Sequence, residues 1–164
     1  MKTIVIGLGN PILGDDGVGW KVAEEVRKQL ILVNAPDPQG EGRDYVDVEV
    51  LSLGGISLME YLIGYDRAVL IDAMDSDQEI GSIVVAGLGE LPDYSTLHTA
   101  SVHDTSLQNA LRLGRGMGAS LPEEEEVVVV GIATSHVYDF SEELTPPVAE
   151  AIPRAMKIVM DLLE

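Results

Sequence analysis

The sequence predicts an α/β fold built on a mixed sheet, and three observations carry that prediction. Short, almost wholly apolar runs at residues 3–8, 68–72 and 127–133 read as strands buried on both faces. Longer stretches with apolar residues at helical spacing lie between them. The run at 80–86 follows the one at 68–72 after only about eight residues, fewer than the dozen or so that a parallel crossover needs, so it is expected to run antiparallel to the rest.

Residues 3–8 (TIVIGL) form the first strand. Residues 17–30 form a helix in which Val18, Val22, Val26 and Leu30 stack four apart while Lys21, Glu24, Glu25 and Lys28 take the wet face. Residues 31–44, with Pro36, Pro38, Gly40 and Gly42, read as a polar surface loop. Val46, Val48 and Val50 then alternate as a strand. A short helix at 56–63 follows the Gly54-Gly55 turn, and the apolar strand at 68–72 ends on Asp72. After the antiparallel strand, a long loop from Gly87 leads to a helix at 105–116; residues 127–133 form the last central strand and 147–163 a closing helix opened by proline. The acidic run 123–126 reads as a solvated strand entrance.

A chain of 164 residues suits one domain, 1–164, with its own core. With 28 acidic against 10 basic residues and a formal charge of −18, it would repel a phosphate backbone, and one Trp and one Phe cannot build a base-stacking platform. Nucleic acid and anionic membrane are therefore disfavoured partners, and solubility is the plainest role of the charge. The absence of cysteine removes disulfides, thiolate metal sites and a cysteine nucleophile. Neither a signal-peptide core nor a run of about 18 apolar residues is present, so a soluble cytoplasmic protein, monomeric by default, is expected.

Function is expected where strands end, because ligands of open α/β sheets bind in the crevice outside their carboxyl ends. The segment GLGNPILGDDGVG at 7–19 runs from the end of the first strand into the helix with five glycines, a proline, Asp15 and Asp16. Asp72 closes another strand, His103 precedes the helix at 105–116, and His98 and His136 lie in loops. Two carboxylates and an imidazole drawn from separate segments suit a divalent metal such as zinc or nickel. Each residue has a plainer reading. Asp15 or Asp16 can cap the first helix, though one cap needs only one aspartate. A histidine beside a helix can simply pack there. Asp72 is the best single candidate, since a buried carboxylate without a partner or cation is costly. Asp75 and Asp77 are expected in the turn beyond, facing water. The residues alone do not choose among the three histidines.

Three segments taken together, GLGNPILGDDGVG, LIDAMDS around Asp72 and SVHDTSL around His103, resemble the signature regions of the hydrogenase maturation endopeptidases in order and spacing across nearly the whole chain. The resemblance implies a three-layer α/β/α sandwich of the phosphorylase/hydrolase-like kind around a mixed five-stranded sheet. It also implies that Asp16, Asp72 and His103 are the metal-binding and catalytic residues. One departure stands out: many members carry Asp-Gly-Gly-Thr where this chain has Leu53-Gly54-Gly55-Ile56, which bears on which precursor is read rather than on the metal ligands.

The implied activity is removal of a short carboxyl-terminal extension from the precursor of a nickel-iron hydrogenase large subunit once nickel has been inserted. Nickel then arrives with the substrate, and zinc or cadmium can stand in for it in crystals. The chain has no HExxH helix and no GxSxG elbow. Two other classes compete. A dinucleotide-binding module would need glycine at position 12 to complete GxGxxG, but Ile12 stands there and Asp15 and Asp16 would face a pyrophosphate. A peptidyl-tRNA hydrolase-like enzyme shares only the GLGNP opening; its following histidine is missing before Leu30, and the charge suits no tRNA.

Overall fold

The computed structural model describes residues 1–33, 45–92, 94, 105–135 and 139–164. Most of the loop expected at 31–44, together with His98, His103 and His136, lies outside the described residues.

Alternation along the strands sorts the apolar side chains into two cores. In β1 (Lys2–Leu8), Ile4, Ile6 and Leu8 face one way and Val5 the other, because successive strand residues point to opposite faces. β3 (Arg67–Asp75) divides in the same way, with Ala68 and Leu70 on the first face and Val69, Ile71 and Ala73 on the second. Two helices cover each face. The first core receives Leu58 and Met59 of α2 (Gly55–Tyr61) and Leu107, Ala110 and Leu111 of α3 (Leu107–Gly116). The second receives Val18, Val22 and Val26 of α1 (Val18–Val33) and Val148, Ala151, Ala155 and Val159 of α4 (Pro146–Leu162). These are the three layers expected.

The sheet order is β2-β1-β3-β5-β4, with β2 at Tyr45–Leu51, β4 at Ile83–Gly87 and β5 at Val127–Thr134. β2, β1, β3 and β5 run parallel, and β4 runs antiparallel to β5 as its short connection predicted. That connection is a turn in which the Ser82 N–H donates to the Glu79 carbonyl, with Gly81 at φ +86° in the position that favours glycine. Since β1 connects to β2 on one side while β3 lies on the other, the order reverses between β1 and β3. That reversal opens a crevice at their carboxyl ends.

Glycines let α1 press onto that crevice. A Cβ on Gly19 would lie 2.3 Å from the Leu8 carbonyl oxygen and 2.4 Å from that of Ile71, so the helix start sits directly on the backbones of β1 and β3. Gly7 meets Gly19 in the same way, its Cβ falling 2.4 Å from the Gly19 carbonyl oxygen. The glycine-rich segment thus serves helix-on-strand packing, and no phosphate cradle is needed to explain it. Gly19→Ala is expected to cost about 3 kcal/mol, the upper end for overpacking, because backbone rather than a movable side chain stands in the way. Urea unfolding checks this, and an unchanged midpoint would contradict the packing account.

Two bounds move functionally relevant residues. α1 begins at Val18 after a 3-10 turn over Gly14–Gly17, so Asp15 and Asp16 lie inside that turn. β3 runs on to Asp75 because β5 keeps pairing with it, matching Met74 to Ala133 and Asp75 to Thr134. Asp72 is therefore within the strand, and Asp75, exposed as expected, is its last residue instead of part of a turn.

Candidate active site

Asp15 and Asp16 follow β1, and Asp72 lies in the carboxyl half of the neighbouring β3. After β1, Gly9 turns the chain at φ +136°, and a Cβ there would fall 1.9 Å from the Asp16 carbonyl oxygen, so residues 9–16 close into a loop folded upon itself. The Asn10 N–H donates to Asp16 Oδ2 at 2.9 Å and the Asp16 N–H to the Leu13 carbonyl at 3.2 Å. Asp16 is 2% exposed. Its carboxyl therefore faces back across its own loop instead of capping α1, and the turn that bears it packs against β3.

Asp15 has a separate task. Its Oδ1 accepts the Thr145 N–H at 2.7 Å and its Oδ2 the Thr145 hydroxyl at 2.7 Å. Thr145 is the N-cap of α4, so Asp15 fastens the loop to the opening of that helix across 130 residues of sequence. A carboxyl beside a helix N-terminus is also favourably placed against the helix dipole. The two adjacent aspartates thus divide between a structural tie and a place at the crevice. Backbone bonds reinforce the tie, from Gly14 N–H to the Ser141 carbonyl at 2.7 Å and from Ser141 N–H to the Ile12 carbonyl at 2.9 Å.

Asp72 stands one residue beyond the last β1–β3 pair, Gly7 with Ile71, where β1 parts from β3 while still pairing with β2. It is 3% exposed and shares its strand face with Ala68 and Leu70. Its β5 neighbour is Gly131, where a Cβ would lie 1.9 Å from the Met74 sulfur, so only glycine lets the thioether fold in beside Asp72.

Tyr94 is a site residue that the sequence did not reveal. Its hydroxyl donates to Asp72 Oδ2 at 2.7 Å. Burial pushes the phenol well above its ordinary value, and the charge and hydrogen bond of Asp72 push it further, so Tyr94 remains a neutral donor. Gln108 fixes the tyrosine in turn, its Oε1 accepting the Tyr94 N–H at 3.0 Å while its Nε2 donates to the Leu88 and Leu91 carbonyls. A polar residue on the buried face of α3, between Leu107 and Leu111, was the available signal for this network. Tyr94 itself, 22 positions beyond Asp72, gave none.

Removing the phenol oxygen leaves a buried carboxyl oxygen short of one donor. Tyr94→Phe is therefore expected to lower stability by about 1 to 3 kcal/mol. Because it also removes one of the contacts that orient Asp72, it should reduce the rate constant of any reaction at this carboxyl more than the Michaelis constant. Urea unfolding and steady-state kinetics, side by side, check both parts.

Among the described residues no three His, Asp or Glu side chains form a metal-sized group. Asp16 lies in the turn that follows β1 and Asp72 in the carboxyl half of the neighbouring β3, and the third predicted ligand, His103, lies outside the described residues, a few positions before the Ser106 N-cap of α3. No helix of the described residues is long and apolar enough to cross a membrane.

A mixed five-stranded sheet with two helices on each face defines an α/β sandwich, here with buried Asp16 and Asp72 toward the carboxyl ends of neighbouring strands. The particular family comes from sequence: the model of the hydrogenase maturation protease family HycI matches residues 38–162. The chain belongs to that family and is accordingly a maturation endopeptidase. The matched region includes Asp72 and His103 and begins after Asp16. The chain is 26% identical over 164 residues to the hydrogenase expression/formation protein HupD of Rhizobium leguminosarum bv. viciae, covering 99% of this chain and 74% of the relative. It is 28% identical to a putative hydrogenase maturation protease of Methanocaldococcus jannaschii, covering 96% and 93%. In fold it resembles the hydrogenase maturating endopeptidase HybD from E. coli, with a TM-score of 0.71 at 22% identity over 99% of this chain and 92% of the other.

Proposed function

We propose that this endopeptidase removes the carboxyl-terminal extension of a nickel-iron hydrogenase large-subunit precursor after nickel insertion, and that it recognises the inserted nickel through Asp16, Asp72 and His103. The observation that carries the proposal is that Asp16, in the turn after β1, and Asp72, in the carboxyl half of the neighbouring β3, are both buried and each accept a neutral donor, the Asn10 N–H and the Tyr94 hydroxyl. Two carboxyl oxygens with an imidazole nitrogen form a borderline donor set that suits nickel or zinc. The family match supports the substrate class.

In this reading the nickel is part of the substrate. Contact with it places the scissile peptide bond at the rim, so chemistry begins only on a loaded precursor. The chain's own contribution is orientation. Asp15 and Thr145 keep the loop bearing Asp16 against α4, and Tyr94 and Gln108 keep Asp72 in one rotamer.

Incubation with a purified nickel-loaded precursor, read by mass spectrometry, tests the proposal. One cut near the carboxyl terminus is expected, and an intact precursor after prolonged incubation would reject it. The ligand set is tested separately by soaking crystals in zinc or cadmium. Anomalous density should lie between Asp16, Asp72 and His103 with contacts of about 2.0 to 2.4 Å, and density elsewhere would reject the assignment.

A further inference from the structure

The outer edge of β4 carries a row of backbone hydrogen-bonding groups that no described strand uses and that leads away from the carboxyl ends of the parallel strands. In its antiparallel pairing with β5, the Ser82 carbonyl accepts the Ala133 N–H at 2.8 Å, so Ser82 faces inward. Strand alternation then turns Val84 and Ala86 toward β5 and leaves Ile83, Val85 and Gly87 facing outward. Gly87 confirms the parity, because its N–H donates to the Glu90 side chain at 2.8 Å instead of joining the ladder. Glu90 thus closes the far end of the edge. Among the described residues nothing bonds to the outward groups of Ile83 and Val85.

Exposed strand edges are ordinarily protected by charge, proline or a covering element. Among the described residues this one is not: Ile83–Gly87 reads IVVAG, without a charge or proline, in a chain carrying 28 acidic residues. Val84 and Val85 are 40% and 46% exposed. The open groups begin at the carboxyl rim, where β4 starts opposite the end of β5, and run away from it.

We infer that β4 receives the carboxyl-terminal extension of the precursor as a sixth strand, parallel to β4 and bonded to the outward N–H and C=O groups of Ile83 and Val85. The inference rests on the proposed function and deepens it. Direction favours this occupant, because a tail leaving a scissile bond at the rim runs the same way as β4. Reach favours it as well. From β3 past β5 and β4 to a new strand is three spacings, about 14 Å, which four or five extended residues span. Charge disfavours a second copy of this chain, since each copy carries −18, whereas a neutral or basic tail meets no such repulsion. Affinity would come from main-chain bonds, as in other cases of strand addition.

The test is Val85→Pro, which deletes an outward N–H and no ladder bond, the one setting in which a strand edge tolerates proline. With a nickel-loaded precursor, the Michaelis constant should rise at least tenfold while the rate constant stays within twofold. Wild-type enzyme should show the same rise on a precursor whose tail is cut to three residues past the scissile bond. An unchanged Michaelis constant for Val85→Pro, alongside normal wild-type cleavage, would overturn the inference alone. Failure of wild-type enzyme to cut any precursor would instead reject the proposed function. If circular dichroism shows that Val85→Pro does not fold, amide hydrogen exchange on wild-type protein decides. Ile83 and Val85 should slow at least tenfold when the protein is saturated with a loaded precursor made uncleavable by proline after the scissile bond, and unaltered exchange would overturn the inference. A wild-type dimer in sedimentation that Val85→Pro converts to monomer would assign the edge to a second copy and overturn it too.

Discussion

Asp72→Asn is expected to abolish tail removal, with a loss of at least about 100-fold in rate, while the protein remains folded. The substitution keeps the volume of the side chain, and its amide oxygen can still accept the Tyr94 hydroxyl, so packing around Tyr94 and Gln108 is preserved. What disappears is a carboxyl able to carry negative charge at the point where β1 parts from β3. A change in stability within about 1 kcal/mol would fit a residue whose main task is not packing. His103→Ala should match the loss of activity. Asp75→Asn and Asp77→Asn, both at exposed positions beyond the crevice, should retain near-normal rates. Mass-spectrometric time courses and urea unfolding on the same preparations separate the two effects. Normal processing by Asp72→Asn, or by His103→Ala while His98→Ala or His136→Ala fails, would reject the assignment.

The fold was legible where the physics is local. Apolar runs buried on both faces mark β1, β3 and β5, and the shortness of the connection after β3 dictated an antiparallel β4. Strand ends were less legible, because β3 is extended past Asp72 by pairing with β5, a non-local bond pattern that a carboxylate in the sequence conceals. The candidate site shows the same division. Position after a strand singled out Asp72 and favoured Asp16 over Asp15, but it did not show what Asp15 does. Their difference is set by Thr145, 130 residues away, which claims one carboxyl and leaves the other to the crevice. Tyr94 was invisible for the same reason: its partnership with Asp72 exists only once α3 and the sheet have packed.

Nickel-free precursor is expected to escape cleavage under conditions in which nickel-loaded precursor is cut to completion. Asp16, Asp72 and His103 come from three separate segments, and the two carboxyls already accept hydrogen bonds, so the set is suited to touching a metal anchored elsewhere. Joining that contact to protein–protein contacts makes each strengthen the other through effective concentration, which for linked sites can raise avidity by about 10²- to 10⁴-fold. Under the proposed function loading itself is the switch, because a precursor without metal would offer only the weaker half of the interaction. The same logic predicts no hydrolysis of casein or of short tail peptides, even with zinc added, since neither presents an anchored ion beside a scissile bond. Parallel incubations with loaded precursor, empty precursor and peptide, each with and without zinc, distinguish the possibilities by mass spectrometry. Rapid cleavage of empty precursor by zinc-treated enzyme would show a resident catalytic metal, and recognition of substrate-borne nickel would have to be given up.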